Sequence, residues 1–360
     1  MDLKKSWTDI LAKSKEDCIF STWEWLSGWW RHFGKGRKLR ILLIHANNKI
    51  RAIAPLMLSK YRFLHFGTLT KIEFIGSPQS DYNNFILTGR EMECFKLFWN
   101  YLSEHNDWNY IELSDIPESA VSVELLRKMS SRELLGGLLE EKATFVCPFM
   151  NLPDSTEIFM SRLSGNMRRN LRRRMRRLNE KYLVKVKTHS DFDSIEEAMD
   201  TFYKLHQKRW KTQGKHGVFA EKALREFHNE VARLFSEKKW LSLYIMTVDD
   251  VPIGAIYSFD YKAKKYEYLT GFDPEYSKYG VANLLRMHAV DDCIRKGLNE
   301  YDLMRGDEPY KASWRTKNRR NLELRFIRKG LFPKIYGWAT KSAPAMLLTQ
   351  KLGRSLTLKR

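Results

Sequence analysis

Apolar positions in the first part of the chain alternate between helical and strand-like spacing. In residues 23–30, large apolar side chains recur three and four positions apart, which predicts a helix that begins after Thr22 or Ser21. Two apolar runs, 39–44 and 50–58, flank a short polar stretch, and this pattern is typical of a β-hairpin. The same rules predict strands at 71–75, 109–113 and 145–152 and helices at 91–105 and 119–129.

The second part of the chain repeats this order of elements. Its predicted elements are helices at 195–210, 224–235 and 279–296 and strands at 241–248, 252–260, 265–270, 300–304 and 321–328. Asp249 and Asp250 mark a hairpin between the first two of these strands. Because helix, hairpin, strand, helix and strand occur twice, we predict an α/β (α+β) fold built by duplication of one unit. The predicted domains are 1–150 and 151–330, followed by a basic helical tail at 331–360.

The distribution of charge points to an anionic partner. The chain has 360 residues, of which 43% are hydrophobic, and a formal net charge of +20. The basic excess lies in the second half, in the segments 161–181, 305–329 and 330–360. An excess placed in this way predicts contact with a phosphate-bearing cofactor, a nucleic acid or an acidic lipid surface.

Cysteine spacing and the N-terminus indicate the compartment. The four cysteines lie far apart and form no C-x-x-C pair, so we expect reduced thiols and neither a disulfide framework nor a metal site. The N-terminus leads into polar sequence, and no run reaches the roughly eighteen apolar residues that a membrane helix needs. We therefore expect a cytoplasmic protein, either free or at the inner face of the membrane.

An arginine-rich segment at 166–178 is predicted to be a docked helix. It holds seven arginines, but Met167, Leu171, Met175 and Leu178 fall on one helical stripe, which a disordered basic arm would not need. Seven like charges repel one another, and a bound anion would reduce this electrostatic repulsion. The alternative is a polar helix face that contacts only solvent. The arginines predicted to face that anion are Arg168, Arg169, Arg172, Arg173 and Arg176.

The turn at 305–311 concentrates reactive groups. It follows a short apolar strand and contains two adjacent carboxylates, a phenol and an amine, from Asp307, Glu308, Tyr310 and Lys311. Turns at strand ends are where α/β proteins place chemistry, because the sheet holds the turn while leaving it open to a ligand. The alternative is a salt-bridged surface turn.

Several of these stretches together resemble the GNAT-like acyltransferases of the FemABX type, and within them the CelD/BcsL-like branch. The resembling stretches are 163–173, 202–210, 271–276 and 305–311, and in the first half 23–26, 53–56 and 74–78 with Asp81 and Tyr82. The resemblance implies two tandem GNAT-like units, each a mixed, mostly antiparallel sheet flanked by helices. It also implies acyl transfer, often onto an amine, in the synthesis of envelope or extracellular polymers, with a small-molecule or glycan acceptor.

The resemblance further implies a cofactor turn that binds the pyrophosphate of acyl-CoA, with acetyl-CoA as the expected donor. The matching residues are Ser277, Lys278, Tyr279, Gly280, Val281, Ala282 and Asn283. Gly280 and Ala282 keep the family's small residues, whereas Ser277 replaces the usual Gln or Arg. An ordinary strand–helix turn is the alternative. Gly280→Val is expected to block phosphate approach while leaving the fold intact. In the first half Pro78 removes an N–H donor, so that unit is expected to have lost cofactor binding.

Acyl transfer to an amine requires a base, stabilisation of negative charge and a proton donor for the leaving thiolate. Asp307 and Glu308 are candidate bases, Tyr310 is a candidate proton donor, and Lys311 is a candidate for steadying negative charge. Glu267 is another candidate base, although alternation along its strand does not say which face is buried. His206 and His216 are further candidates, and the packed, hydrogen-bonded role is the commoner one for a helical His beside a Trp.

Two other functions fit the same sequence. One is aminoacyl transfer from tRNA, as the FemABX resemblance implies, with the arginine helix and basic tail bound to tRNA phosphates. The other is a non-catalytic nucleic-acid or membrane-surface protein, in which the apolar and basic residues of 331–360 lie on an anionic bilayer.

Overall fold

The computed structural model describes residues 2–47, 49–63, 67–129, 138–212, 214 and 217–327. The chain forms two compact units. Among the described residues, the first comprises those up to Phe145 together with 320–327, and the second comprises Val146–Arg319. The sequence instead assigned residues up to 150 to the first domain and 151–330 to the second. The predicted tail at 331–360 lies outside the described residues.

The first unit contains the elements that the sequence predicted, with two further ones, an N-terminal helix and a two-residue strand. Its elements are α1 (Leu3–Leu11), α2 (Trp23–Phe33), β1 (Lys38–Ala46), β2 (Lys49–Phe63), β3 (Gly67–Phe74), β4 (Ile86–Leu87), α3 (Glu91–Glu104), β5 (Tyr110–Pro117), α4 (Val121–Lys128) and the start of β6 (Leu138–Asn151). Helix α2 begins as predicted, because the Thr22 side chain accepts a hydrogen bond from the Trp25 amide.

The second unit follows from the end of β6. Its elements are α5 (Thr156–Arg162), α6 (Gly165–Asn179), β7 (Val184–Thr188), α7 (Ile195–Lys211), α8 (Lys222–Glu237), β8 (Leu241–Val248), β9 (Val251–Tyr261), β10 (Lys264–Phe272), α9 (Val281–Arg295), β11 (Glu300–Asp302), α10 (Pro309–Ala312) and the start of β12 (Lys317–Ile327). The predicted hairpin is confirmed: Asp249 and Asp250 both have positive φ, as a two-residue turn of this kind requires. The sequence did not predict α5 or β7.

The two units share one strand order, which confirms the predicted duplication. In the first unit the order is β1-β2-β3-β5-β12, and in the second β8-β9-β10-β11-β6 with β7 added beside β8. In each unit one neighbouring pair is parallel, β3 with β5 and β10 with β11. The pairs β1–β2, β2–β3, β5–β12, β7–β8, β8–β9, β9–β10 and β11–β6 are antiparallel. A helix crosses over between the two strands of each parallel pair, α3 in one unit and α9 in the other.

Helices cover both faces of the second sheet and position the candidate site. Helix α9 packs on β8, β9 and β10, and α6 packs on α9 and on the turn that precedes it. Helix α7 packs on β9 and β10 so closely that a Cβ on Gly271 would collide with the backbone of His206. The stripe of α6 docks as predicted, since Leu171 and Leu178 are buried in the core of this unit and Met167 and Met175 pack against it. No helix among the described residues is long and apolar enough to cross a membrane.

Candidate active site

Strands β10 and β11 separate soon after they pair. Their parallel register runs only from Lys264–Glu300 to Tyr266–Asp302. Beyond Asp302 the chain follows β6 instead, because the Leu303 amide donates to Pro148 O (2.9 Å) and the Gly306 amide to Val146 O (2.8 Å). Strand β10 meanwhile continues along β9 to Phe272. A gap in the sheet therefore opens between Glu267 and Leu303, at the edge where both strands end.

A buried ion pair lies at the closed end of this gap. Arg286 of α9 is 1% exposed and donates from Nε and Nη2 to the two carboxylate oxygens of Glu267, at 2.8 and 2.6 Å. The Tyr301 hydroxyl donates to the same carboxylate at 2.6 Å, and Arg286 Nη1 donates to Asn283 Oδ1 at 3.0 Å. Both carboxylate oxygens of Glu267 therefore already accept hydrogen bonds. Glu267, which the sequence predicted as a base, instead holds the side chains of Arg286 and Tyr301 in place.

Tyr310 stands directly beside this pair. The Arg286 guanidinium carbon lies 4.8 Å from the centre of the Tyr310 ring and 5.6 Å from that of Trp314. Burial raises the pKa of the Tyr310 phenol to about 12, although the positive charge of Arg286 opposes the shift. The phenol therefore keeps its proton at neutral pH and is chemically suited to donate it.

Lys311 holds the turn in shape. Its ammonium group is buried and donates to the carbonyl oxygens of Met304 (3.2 Å), Arg305 (3.0 Å) and Gly306 (3.1 Å). It also pairs with the Glu308 carboxylate at 2.9 Å. Through these contacts the Lys311 amine fixes the backbone of the turn that carries the two candidate acids. The sequence did not predict this structural role of Lys311.

The two predicted acids of the turn differ in their surroundings. Asp307 is exposed, whereas Glu308 is half-buried, pairs with Lys311 and lies near enough to Tyr310 to act on its pKa. Gly306, at a φ of 116°, brings the backbone so close to the Glu308 carboxylate that a Cβ there would collide with it. The Glu308 carboxylate therefore folds back against Gly306 and Lys311, whereas Asp307 is exposed to solvent.

The predicted cofactor turn has the expected strand–turn–helix form. After β10, a 3₁₀ helix (Pro274–Tyr279) leads to Gly280, which has a φ of 62° and caps the N-terminus of α9. Ser277 and Lys278 are exposed, and Ala282 is half-buried at the first turn of α9. Tyr279 and Val281 instead point into the core, and the Asn283 amide is bound to Arg286.

Arg174 of α6 lies against this turn, and sequence reasoning missed it. A Cβ on Gly280 would collide with its Nη1 and would lie 3.1 Å from its Cζ. Arg174 follows Leu171 by three positions and precedes Leu178 by four, so helical spacing placed it on the docked face of α6. That spacing was the available signal.

The other arginines of α6 divide into two groups. Arg168 donates from Nη1 to the carbonyl oxygens of Met160, Ser161 and Leu163, at 3.4, 2.8 and 3.0 Å, and so closes the C-terminal end of α5. This contact gives Arg168 a structural partner in place of the anion that the sequence assigned to it. The remaining predicted anion-facing residues, Arg169, Arg172, Arg173 and Arg176, are exposed on the outer face of the helix.

Helix α7 adds a second cation to the open edge of β10. Arg209 donates to Thr270 O at 3.3 Å and to Thr270 Oγ1 at 3.0 Å, and its charge acts on the Tyr310 phenol. His206 is buried and accepts a hydrogen bond from Trp210 Nε1 at 3.0 Å, so it has the packed role that the sequence favoured. His216 lies outside the described residues.

In the first unit, protein side chains occupy the corresponding turn. After β3, Gly76 is so close to Ser80 that a Cβ would collide with the Ser80 hydroxyl. That hydroxyl accepts a hydrogen bond from Trp25 Nε1 at 2.9 Å, and Asn83 Nδ2 donates to Ser77 Oγ at 3.2 Å. Ser80 and Asp81 are fully buried. No helix N-terminus comparable to that of α9 follows this turn directly within the described residues.

A known protein family matches the part of the chain that contains this site. Residues 165–312 match the family model of the acetyltransferase (GNAT) domain, a span that contains the arginine helix, Gly280 and the turn 305–311. No curated protein sequence matches the chain.

Solved structures with similar folds cover almost the whole chain. FemX is 11% identical, with 90% of this chain and 96% of that one covered and a TM-score of 0.63. L-PGS from Bacillus licheniformis is 9% identical (97% and 96% covered, TM-score 0.54). The C-terminal domain of a putative lysylphosphatidylglycerol synthetase from Agrobacterium fabrum is 10% identical (89% and 90% covered, TM-score 0.52). The chain thus has a GNAT-type acyltransferase fold, as the sequence predicted.

Proposed function

We propose that this protein moves an acyl group from acyl-CoA, with acetyl-CoA as the expected donor, to an amine or hydroxyl group of a sugar or of an envelope or extracellular polysaccharide precursor. The observation that carries the proposal is the gap between β10 and β11, which opens beside the glycine turn at the start of α9. The motifs of the sequence support its place in the CelD/BcsL-like branch.

The residues around Gly280 fit a diphosphate group. Gly280 has no Cβ, so the Arg174 side chain lies directly against its backbone, and the N–H groups of Val281 and Ala282 precede the first intrahelical hydrogen bonds of α9. The first turn of this helix contains no acidic residue, so its positive dipole is not compensated there. The open edge of β10 beyond Glu267 is suited to pair with the amide groups of an extended ligand arm.

When bound, acyl-CoA would supply an activated thioester, and the chain would supply the proton transfers. In this proposal Glu308 accepts the proton that the acceptor amine loses, and Tyr310 donates its proton to the departing sulfur. Lys311 fixes the backbone that holds Glu308 in place, and Arg286 orients the Tyr310 ring. Asp307, exposed beside the gap, is placed to attract a cationic acceptor amine.

Thermal unfolding with a panel of ligands tests this proposal. Because a ligand at free concentration L that binds only the folded state stabilises it by RT ln(1 + L/Kd), acetyl-CoA should raise the Tm, and the shift should keep growing with the logarithm of its concentration above Kd. Free CoA should give a comparable shift and compete with acetyl-CoA. If no acyl-CoA shifts the Tm at millimolar concentration, the proposed donor is incorrect.

The exposed arginines of α6 favour aminoacyl transfer from tRNA as a second candidate. Four of those that the sequence assigned to an anion, Arg169, Arg172, Arg173 and Arg176, face solvent on one helix with a single acidic residue, Glu180, at its C-terminal end. Binding to tRNA should weaken steeply with added salt, and replacing these four arginines by glutamine should flatten that dependence. A flat salt response in the parent protein would exclude this candidate.

A further inference from the structure

A cation occupies the position where proteins usually place an anion. The Arg174 side chain crosses the left-handed turn at Gly280, with its guanidinium in the space that a side chain at that position would fill. This turn forms the N-terminus of α9, where the helix dipole is positive. Acidic groups are stabilising at such a helix end, whereas a second positive charge is repelled.

No acidic side chain in the described part of the chain forms an ion pair with this guanidinium. Arg174 makes no hydrogen bond or ion pair with any described residue. Its neighbours on the outer face behave differently, since Arg173 donates to Asn170 and Arg176 pairs with Glu180. Lys278, an exposed residue two positions before Gly280, adds a further positive charge to this segment. The unpaired Arg174 guanidinium and a helix N-terminus thus meet at Gly280.

We propose that Arg174 binds the diphosphate group of the CoA-type donor across Gly280. This inference rests on the proposed function and identifies the donor more closely, as a nucleotide whose diphosphate lies between α6 and the first turn of α9. A guanidinium at this position provides two parallel N–H donors for phosphate oxygens, while the backbone N–H groups of α9 approach from the other side. The proposal also explains why α6 is docked, because its apolar stripe holds Arg174 at the turn.

Titration calorimetry with three ligands tests the assignment. CoA, dephospho-CoA (which lacks the 3′-phosphate) and pantetheine (which lacks all phosphates) are titrated into the parent protein, Arg174→Ala and Arg225→Ala. We expect Arg174→Ala to weaken CoA and dephospho-CoA by the same factor, roughly 10-fold to 100-fold for charge-assisted hydrogen bonds, and to leave pantetheine unchanged. Arg225→Ala removes the same charge from an exposed position on α8 and should change each affinity less than about threefold.

The outcomes separate this inference from the proposed function. If the parent protein and Arg174→Ala bind CoA equally, the role of Arg174 is wrong and the proposed function stands. If Arg174→Ala weakens CoA but not dephospho-CoA, the residue binds the 3′-phosphate and the diphosphate assignment is overturned. If the parent protein binds no CoA, both proposals fail. The ligand-free Tm of Arg174→Ala should equal or exceed that of the parent; a lower Tm with unchanged CoA affinity would show a purely structural arginine.

Discussion

Arg286 and Glu267 form a two-point ion pair that is almost completely buried. Their hydrogen bonds are 2.8 and 2.6 Å long, and the side chains are 1% and 3% exposed. The pair links α9, which begins at the glycine turn, to the strand that borders the gap. It therefore connects the proposed phosphate site to the Tyr310 ring through one guanidinium.

Removing one partner of this pair should be strongly destabilising. Glu267→Gln leaves the Arg286 charge buried without its counterion, so we expect the free energy of unfolding to fall by about 3–5 kcal/mol. The matched control is Glu237→Gln, which breaks the exposed pair of Arg233 and Glu237 and should change it by less than about 0.5 kcal/mol. Urea denaturation measures both; equal effects would contradict the organising role of the buried pair.

The Tyr310 hydroxyl should matter for catalysis more than for folding. Tyr310→Phe keeps the ring beneath Arg286 but removes the proton donor, so turnover should fall by about 10²-fold to 10⁴-fold, with CoA affinity unchanged. Steady-state and binding measurements separate the two effects. Turnover that stays near the parental value would assign the ring to packing.

The raised pKa of Tyr310 also predicts a dependence of stability on pH. The folded-state pKa of about 12 lies above the usual 10, so the neutral phenol favours the folded state. That contribution is fully present below pH 10 and is lost as the pH rises through 12. Between pH 9 and pH 11, the parent protein should lose more unfolding free energy than Tyr310→Phe. An equal loss would show that the phenol is not perturbed.

The adjacent carboxylates of the turn provide a matched test of the base. Glu308→Gln should reduce turnover by about 10²-fold or more, because this half-buried acid lies near the phenol. Asp307→Asn changes an exposed carboxylate next to it and should affect mainly the KM for a cationic acceptor. The reverse ranking would place the base at Asp307.

Lys311→Met should act through the shape of the turn. The substitution leaves three carbonyl oxygens without their donor, so hydrogen exchange of the 304–308 amides should become faster along with the loss of turnover. A loss of turnover with unchanged exchange would instead give the amine a direct catalytic role.

Local sequence patterns predicted most of the helices and strands, but they did not predict which distant strands pair with one another. The hairpins, helix α3 and docked α6 followed from periodicity and turn residues. The residues 321–327 were assigned to the second domain and lie in the first, because a strand pattern does not specify the sheet that it joins. The face of Glu267 could not be chosen, since the register of β10 shifts at this residue.

Gly280→Val, proposed from the sequence as a variant that blocks phosphate approach, would also strain the backbone. The residue has a φ of 62°, which a β-branched side chain rarely adopts, and its Cβ would collide with Arg174. Neither the backbone angle nor the side chain of a distant helix can be read from the turn alone. Gly280→Asn is the better variant, because Asn tolerates this backbone conformation. It should displace Arg174 and weaken CoA, with little further loss when Arg174 is already Ala.

The stoichiometry of acetyl-CoA binding tests the central claim most directly. Among the described residues, the glycine turn of the second unit lies at a helix N-terminus with the Arg174 side chain against it, whereas buried Ser80 and Asp81 fill the corresponding turn of the first. Titration calorimetry of the parent protein with acetyl-CoA should therefore give one molecule bound per chain, and Arg174→Ala should weaken that single site. Two equivalent sites would contradict the loss of cofactor binding in the first unit, and no binding would contradict an acyl-CoA donor.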